Sequence, residues 1–125
     1  MEKLKIGNTE FDLVPMGITE DSTRKTRSFK FISASSYNDV IYVVSGHIST
    51  IQHIGNDGNP LNTYGDIAKF KSLSFEKDVE LSAGVLADVY KVTYSTDAVE
   101  KAINELNNQI DDLSNTIVII SMQMF

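Results

Sequence analysis

Apolar and polar residues alternate with period two along much of the chain. Leu4 and Ile6 alternate with Lys3 and Lys5, and Phe11 and Leu13 alternate with Glu10 and Asp12. Gly7-Asn8 lies between the two runs, so together they predict a β-hairpin. Pro15 has no amide proton to give to a ladder and is expected to end the second strand or to place it at an edge. Residues 17–27 are polar with no sustained period and read as an exposed loop. Phe29 and Phe31, alternating with Lys30, predict a third strand. Further strands are expected at Ile48–Ile54, Ile67–Phe75, Val79–Ala83 and Leu86–Tyr94. The strongest turn signal, Asn56-Asp57-Gly58-Asn59-Pro60, separates the first two of these.

Two stretches carry a helical period instead. Tyr37, Val40, Ile41 and Val44 stand at i, i+3, i+4 and i+7. Ser36 with Asp39 resembles a capping box, and Gly46 can end the helix. A short helix is therefore expected despite the strand propensity of Val40 to Val44. At the C-terminal end, Asp97 and Glu100 have capping-box spacing. Apolar residues then fall at Val99, Ile103, Leu106, Ile110, Leu113, Ile117, Ile120 and Met124. Their alternating steps of four and three are a heptad seam, with Ile103, Ile110, Ile117 and Met124 at a and Val99, Leu106, Leu113 and Ile120 at d.

So narrow a stripe suits a helix-to-helix seam better than packing on a broad sheet, which recruits a third apolar position. Even so, one amphipathic helix packed on its own sheet shows much of the same pattern. Val118 and Ile119 break the seam's discipline, and residues 117–125 read equally as a buried helix end or a buried strand. The expected fold is α+β, as an antiparallel or small sandwich-like domain. A mostly antiparallel β-rich domain of about seven strands and one short helix occupies residues 1–95. An oligomerising helix follows at 96–125. The alternating core is expected at Phe11, Phe29, Phe31, Val92 and Tyr94.

Composition narrows the functions. The 125 residues suit one domain, and 42% hydrophobic with 22% charged residues argues against disorder. With no cysteine, thiol catalysis, disulfides and thiolate metal sites are out. The first residues carry no apolar signal core, and the longest apolar run, Ile117 to Ile120, is far short of the ~18 residues of a membrane span. A net charge of −6 argues against nucleic acid as a partner. The one basic cluster, Arg24, Lys25, Arg27 and Lys30, reads as solvated loop charge.

No motif points to catalysis or a cofactor. His47 and His53 lie six apart and lack the i, i+4 spacing of a helical metal pair. Asn56-Asp57-Gly58-Asn59 lacks the alternating acidic ligands and distal glutamate of a calcium loop. The expectation is a protein that is not an enzyme, with no metal, no cofactor and no membrane partner.

The order of features resembles small tail-region proteins of phages and prophages of Gram-positive bacteria. The resemblance rests on the strand pair Leu4-Lys5-Ile6 and Phe11-Asp12-Leu13-Val14, the strand Phe29-Lys30-Phe31 and the helix Tyr37 to Val44. It continues through Ile48 to Ile51, the turn Asn56 to Asn59 and the closing heptad helix. It implies a structural component of a phage tail or baseplate, present in the virion and assembled in the host cytoplasm. The partners it implies are further copies of the chain, as dimer or trimer, and other tail or baseplate proteins. It implies no catalytic residue. The competing expectation is a small acidic adaptor or inhibitor that binds a host protein.

Overall fold

The computed structural model describes residues 1–46, 48 and 50–107. Within them the chain forms strands β1 (Lys3–Ile6), β2 (Thr9–Asp21) and β3 (Thr26–Ile32), helix α1 (Tyr37–Val44), and strands β4 (Ile51–Ile54), β5 (Pro60–Tyr64), β6 (Lys69–Ser82) and β7 (Val85–Ser95). A second helix, α2, starts at residue 98 and is helical through 107. All the paired strands are antiparallel neighbours in one sheet, in the order β5-β4-β1-β2-β3-β7-β6. The α+β class is as the alternation predicts, but there is one sheet and not a pair of stacked sheets.

That sheet must curl. A flat sheet of seven strands places its margins about 29 Å apart, at roughly 4.8 Å per spacing. The chain passes from β5 at one margin to β6 at the other through residues 65–68, a reach of at most about 18 Å. The curl is visible in the packing, because the Tyr64 ring on β5 lies 5.5 Å from Phe29 on β3. Arg27, nearly buried, secures the closure. Its guanidinium sits 4.6 Å over the Tyr64 ring and pairs with Asp66 in the 65–68 segment and with Glu20 at 3.4 Å.

The period-two residues fill the concave side. Leu4, Ile6, Phe29, Phe31, Ile51 and Val92 are fully buried, with Phe11, Leu13, Tyr90 and Tyr94 beside them. Helix α1 covers this side with Val40 and Val44. Three tyrosine hydroxyls fasten it there, one of them on Val44 in the last turn, whose carbonyl has no partner within the helix. Tyr94 donates to the Val44 carbonyl at 2.6 Å, Tyr90 to that of Ser35 at 2.9 Å, and Tyr37 to that of Leu73 at 3.0 Å. Burial holds the Tyr94 hydroxyl well above the usual tyrosine range and raises Tyr90 as well. Ser36 caps α1 by accepting from the Asp39 amide, and Ser45, one residue before Gly46, closes its end.

The structure corrects the reading of residues 17–27. Most of that stretch is strand: β2 runs to Asp21, turns with the Asp21 carboxylate accepting from the Thr23 and Arg24 amides, and returns at Thr26. The polar run is the outer end of a hairpin. A bulge between Leu13 and Ile18 disguises it by breaking the alternation. Pro15 sits in that bulge, past the point where β1 stops pairing, so β2 is not ended by it. Met16 takes a left-handed φ of 56°, and Gly17 leaves no room for a side chain, because a Cβ there comes 2.7 Å from the Lys30 carbonyl oxygen.

Three other strand expectations change. The strand expected at Ile67–Phe75 begins only at Lys69 and runs on through Val79 to Ser82 as one irregular strand, β6, with Asp78 at φ 56°, while Ala83 lies in the turn to β7. The fourth strand starts at Ile51 instead of Ile48; positions 47 and 49 lie outside the described residues. Finally, β5 was not foreseen, since none of Pro60 to Thr63 is buried and no alternation marks it.

Candidate self-association surface

Helix α2 leaves the sheet directly from β7. Asp97 caps it, its carboxylate accepting from the amides of Val99 at 2.9 Å and Glu100 at 3.4 Å, and these bonds hold its acidity stronger than usual. The capping box expected of Glu100 takes an indirect form. Ser95, 1% exposed, accepts from the Asp97 amide at 3.2 Å and donates to the Glu100 carboxylate at 2.6 Å. Lys71 on β6 meets the other Glu100 oxygen at 3.2 Å. The Ser95 bond and then the Lys71 charge keep the Glu100 carboxyl below its ordinary range.

One turn further on, Lys101 donates to the Gly65 carbonyl and Asn104 donates to that of Ala68 at 3.0 Å. Lys25 on the β2–β3 turn faces Asp97 at 3.7 Å. Every one of these contacts is polar. They tie α2 to β6, β7, the 65–68 segment and the β2–β3 turn.

The apolar stripe points elsewhere. Val99 is 68% exposed, Ile103 54% and Leu106 55%. At 100° per residue these three lie within about 60° of one another, and the face made by Glu100, Lys101 and Asn104 is centred about 140° away. Over its described turns the helix thus rests on its own domain by its polar side and holds Val99, Ile103 and Leu106 towards solvent. Full burial of such side chains is worth roughly 1.5–3 kcal/mol each. Of the predicted seam, Val99, Ile103 and Leu106 are placed together in this way. Ile110, Leu113, Ile117, Ile120 and Met124 lie outside the described residues.

Sequence reasoning missed the docking side. Ser95 and Lys71 carry no signal of it, Asn104 reads from the sequence only as part of the helix's outer polar face, and Glu100 only as a local cap. Two acceptors, Gly65 and Ala68, act through backbone carbonyls, which no residue type betrays.

Clefts lie beside the dock and beside the β2 bulge among the described residues. One of about 500 Å³ lies between the end of α1, residues 67–70 and α2, with Ile67, Phe70, Lys69 and Lys101 among its walls. Another of about 360 Å³ lies beside the β2 bulge, between Pro15, Val79 and Leu81, with Lys30, Lys91 and Glu76 at its rim. Among the described residues no three His, Cys, Asp or Glu side chains gather where a metal ion would sit. His53 pairs with Glu2 at 3.1 Å. No family model, curated protein or solved structure matches the chain.

Proposed function

We propose that this chain is a non-enzymatic assembly protein that self-associates, as a dimer or trimer, through the apolar stripe of its C-terminal helix, and that it serves in a phage tail or baseplate. The observation that carries the self-association is the outward stripe Val99, Ile103 and Leu106 on a helix whose polar side is docked. A helix recruited into its own domain's core turns its apolar side inward. Here the turn is the opposite, and the same spacing continues in the sequence to Met124. The tail assignment draws its support from the order of elements alone.

Sedimentation equilibrium tests the first part. The full chain is expected to be a dimer or trimer. Ile103→Asp with Leu106→Asp is expected to give a soluble monomer with an unchanged strand signal in circular dichroism, since charge is tolerated in water but not in a seam. A wild-type monomer at high micromolar concentration would falsify the proposal, and a monomer that retains a host protein would favour the acidic adaptor instead. Recovery of the chain from purified tail particles tests the second part, and its absence from them sinks it.

A further inference from the structure

The docking contacts of α2 do more than attach it. We infer that Glu100, Ser95, Lys71 and Asn104 form a latch that holds the first turns of α2 helical and aims the stripe Val99, Ile103 and Leu106 away from the domain, so that the seam is ready-made for a second copy of the chain. The inference rests on reading that stripe as the self-association surface.

Three observations carry it. The first is the burial of Ser95 at the junction of β7 and α2, where its hydroxyl accepts from one backbone amide and donates to the Glu100 carboxylate. A buried hydroxyl with both roles used fixes the side chains on either side of it. The second is the spacing of Glu100 and Asn104, i and i+4, which places both on one line down the helix. They reach β6 through Lys71 and the 65–68 segment through the Ala68 carbonyl, two attachment points one turn apart. Two such points fix a helix in rotation as well as in position. The third is the exposure of the stripe itself, which shows what the rotation leaves free.

The physical consequence concerns the cost of association. Starting a helix fixes several residues for one hydrogen bond, and short helices are marginal in water by themselves. A latched α2 has met that cost on its own domain before a second copy arrives. Released, the same residues must be ordered during association, and each immobilised side chain then subtracts from the affinity. Glu100 and Asn104 are positioning residues here, because neither belongs to the stripe.

Acid offers a readout specific to Glu100. The groups facing it are Ser95 on β7 and Lys71 and Lys69 on β6, with Lys71 in contact. A carboxylate whose folded acidity is strengthened contributes fully above its unfolded value, near 4.5, and the contribution is lost as pH falls through the lower folded value. The Glu100 part of the latch is therefore fully present at neutral pH and weakens in acid, while the Asn104 bond to the Ala68 carbonyl does not titrate.

The experiment uses the absence of cysteine in the chain. Asn62→Cys on β5 and Asn107→Cys on α2 take spin labels, and labelled chain is diluted with unlabelled chain so that distances within one molecule dominate. A narrow distance distribution at neutral pH is expected. Glu100→Gln with Asn104→Ala should broaden it and weaken self-association by about fivefold in sedimentation. Acidification below the ordinary glutamate range should broaden it in the wild type more than in Glu100→Gln, which no longer carries that carboxylate. An unchanged distribution in the double variant overturns the latch. Broadening without loss of association overturns its link to assembly. Failure of the underlying reading shows separately, as oligomers that survive Ile103→Asp with Leu106→Asp.

Discussion

The curled sheet and helix α2 are held by opposite kinds of contact. The sheet and α1 close chiefly over phenylalanines, tyrosines and branched aliphatics, with side-chain polar bonds at the ends of α1, at Arg27 and between strands, as at Ser28 and Thr93. Helix α2 is held to the same sheet by a serine, a glutamate, two lysines and an asparagine, while its apolar side chains stand in water. The first arrangement draws on apolar burial, the largest favourable contribution to folding. The second uses partly exposed polar contacts that each contribute roughly 0.2–1 kcal/mol. One region is built to be stable by itself, and the other to be placed correctly at little cost in stability.

The sharpest way to test this contrast is to cut into each region. Phe29→Ala removes a fully buried ring and is expected to cost about 3–5 kcal/mol, a large part of the roughly 5–15 kcal/mol that holds a domain folded. Urea unfolding of the isolated variant measures it. A loss under about 1 kcal/mol would show that the concave side is not the core it is taken for.

A subtler cut falls at the β2 bulge. Gly17→Ala brings a Cβ to 2.7 Å and 2.8 Å from two backbone oxygens and should cost about 1–3 kcal/mol. Its neighbour should answer with the opposite sign. Met16→Gly relieves a left-handed φ and should gain up to about 1 kcal/mol. Melting both variants side by side checks the pair, and equal signs would mean that the bulge is not the rigid feature described.

Tyr94→Phe probes the fastening of α1. Losing the bond to Val44 should cost about 1–2 kcal/mol at neutral pH. The pH dependence follows from the raised pKa of Tyr94, whose neutral form the buried site prefers. That preference stabilises fully below the unfolded value near 10.0 and is lost as pH rises beyond it. The wild type should therefore lose stability in alkali more steeply than Tyr94→Phe. Parallel alkaline titrations followed by circular dichroism decide the matter.

The smallest effect is expected from Ile103→Ser. In a chain held monomeric by dilution it should leave stability within about 0.5 kcal/mol, because the side chain it removes is already in water. A loss comparable to that of Phe29→Ala would erase the contrast between the regions.

What could be read in advance followed the same division. Strands with one buried face showed themselves by alternation, as in Phe29-Lys30-Phe31 and in Tyr90 to Tyr94, and the short helix by its cap at Ser36 and its stripe. The bulge at Val14 to Gly17 hid the far half of β2, since an extra residue shifts the alternation and its cause lies in backbone geometry. Strand β5 gave no signal because it is an exposed margin, ordered by its pairing with β4. On α2 the stripe was legible and the dock was not. Three of the dock's partners, Gly65, Ala68 and Lys71, lie 29 to 36 positions away and are brought there by the pairing of β6 with β7.

The short segment 65–68 limits how far the sheet can open, as a string limits the bend of a bow. Lengthening it by a few residues would let the two margins draw apart, widening the hollow in which α1 lies and carrying Asp66 away from Arg27. The turns at Gly58 and Gly84 face open space and join adjacent strands, so extra residues there change nothing but the outline. Chain length at one site is thus a dial for interior volume. Sequences that keep the same seven strands but vary this link can enclose hollows of different size.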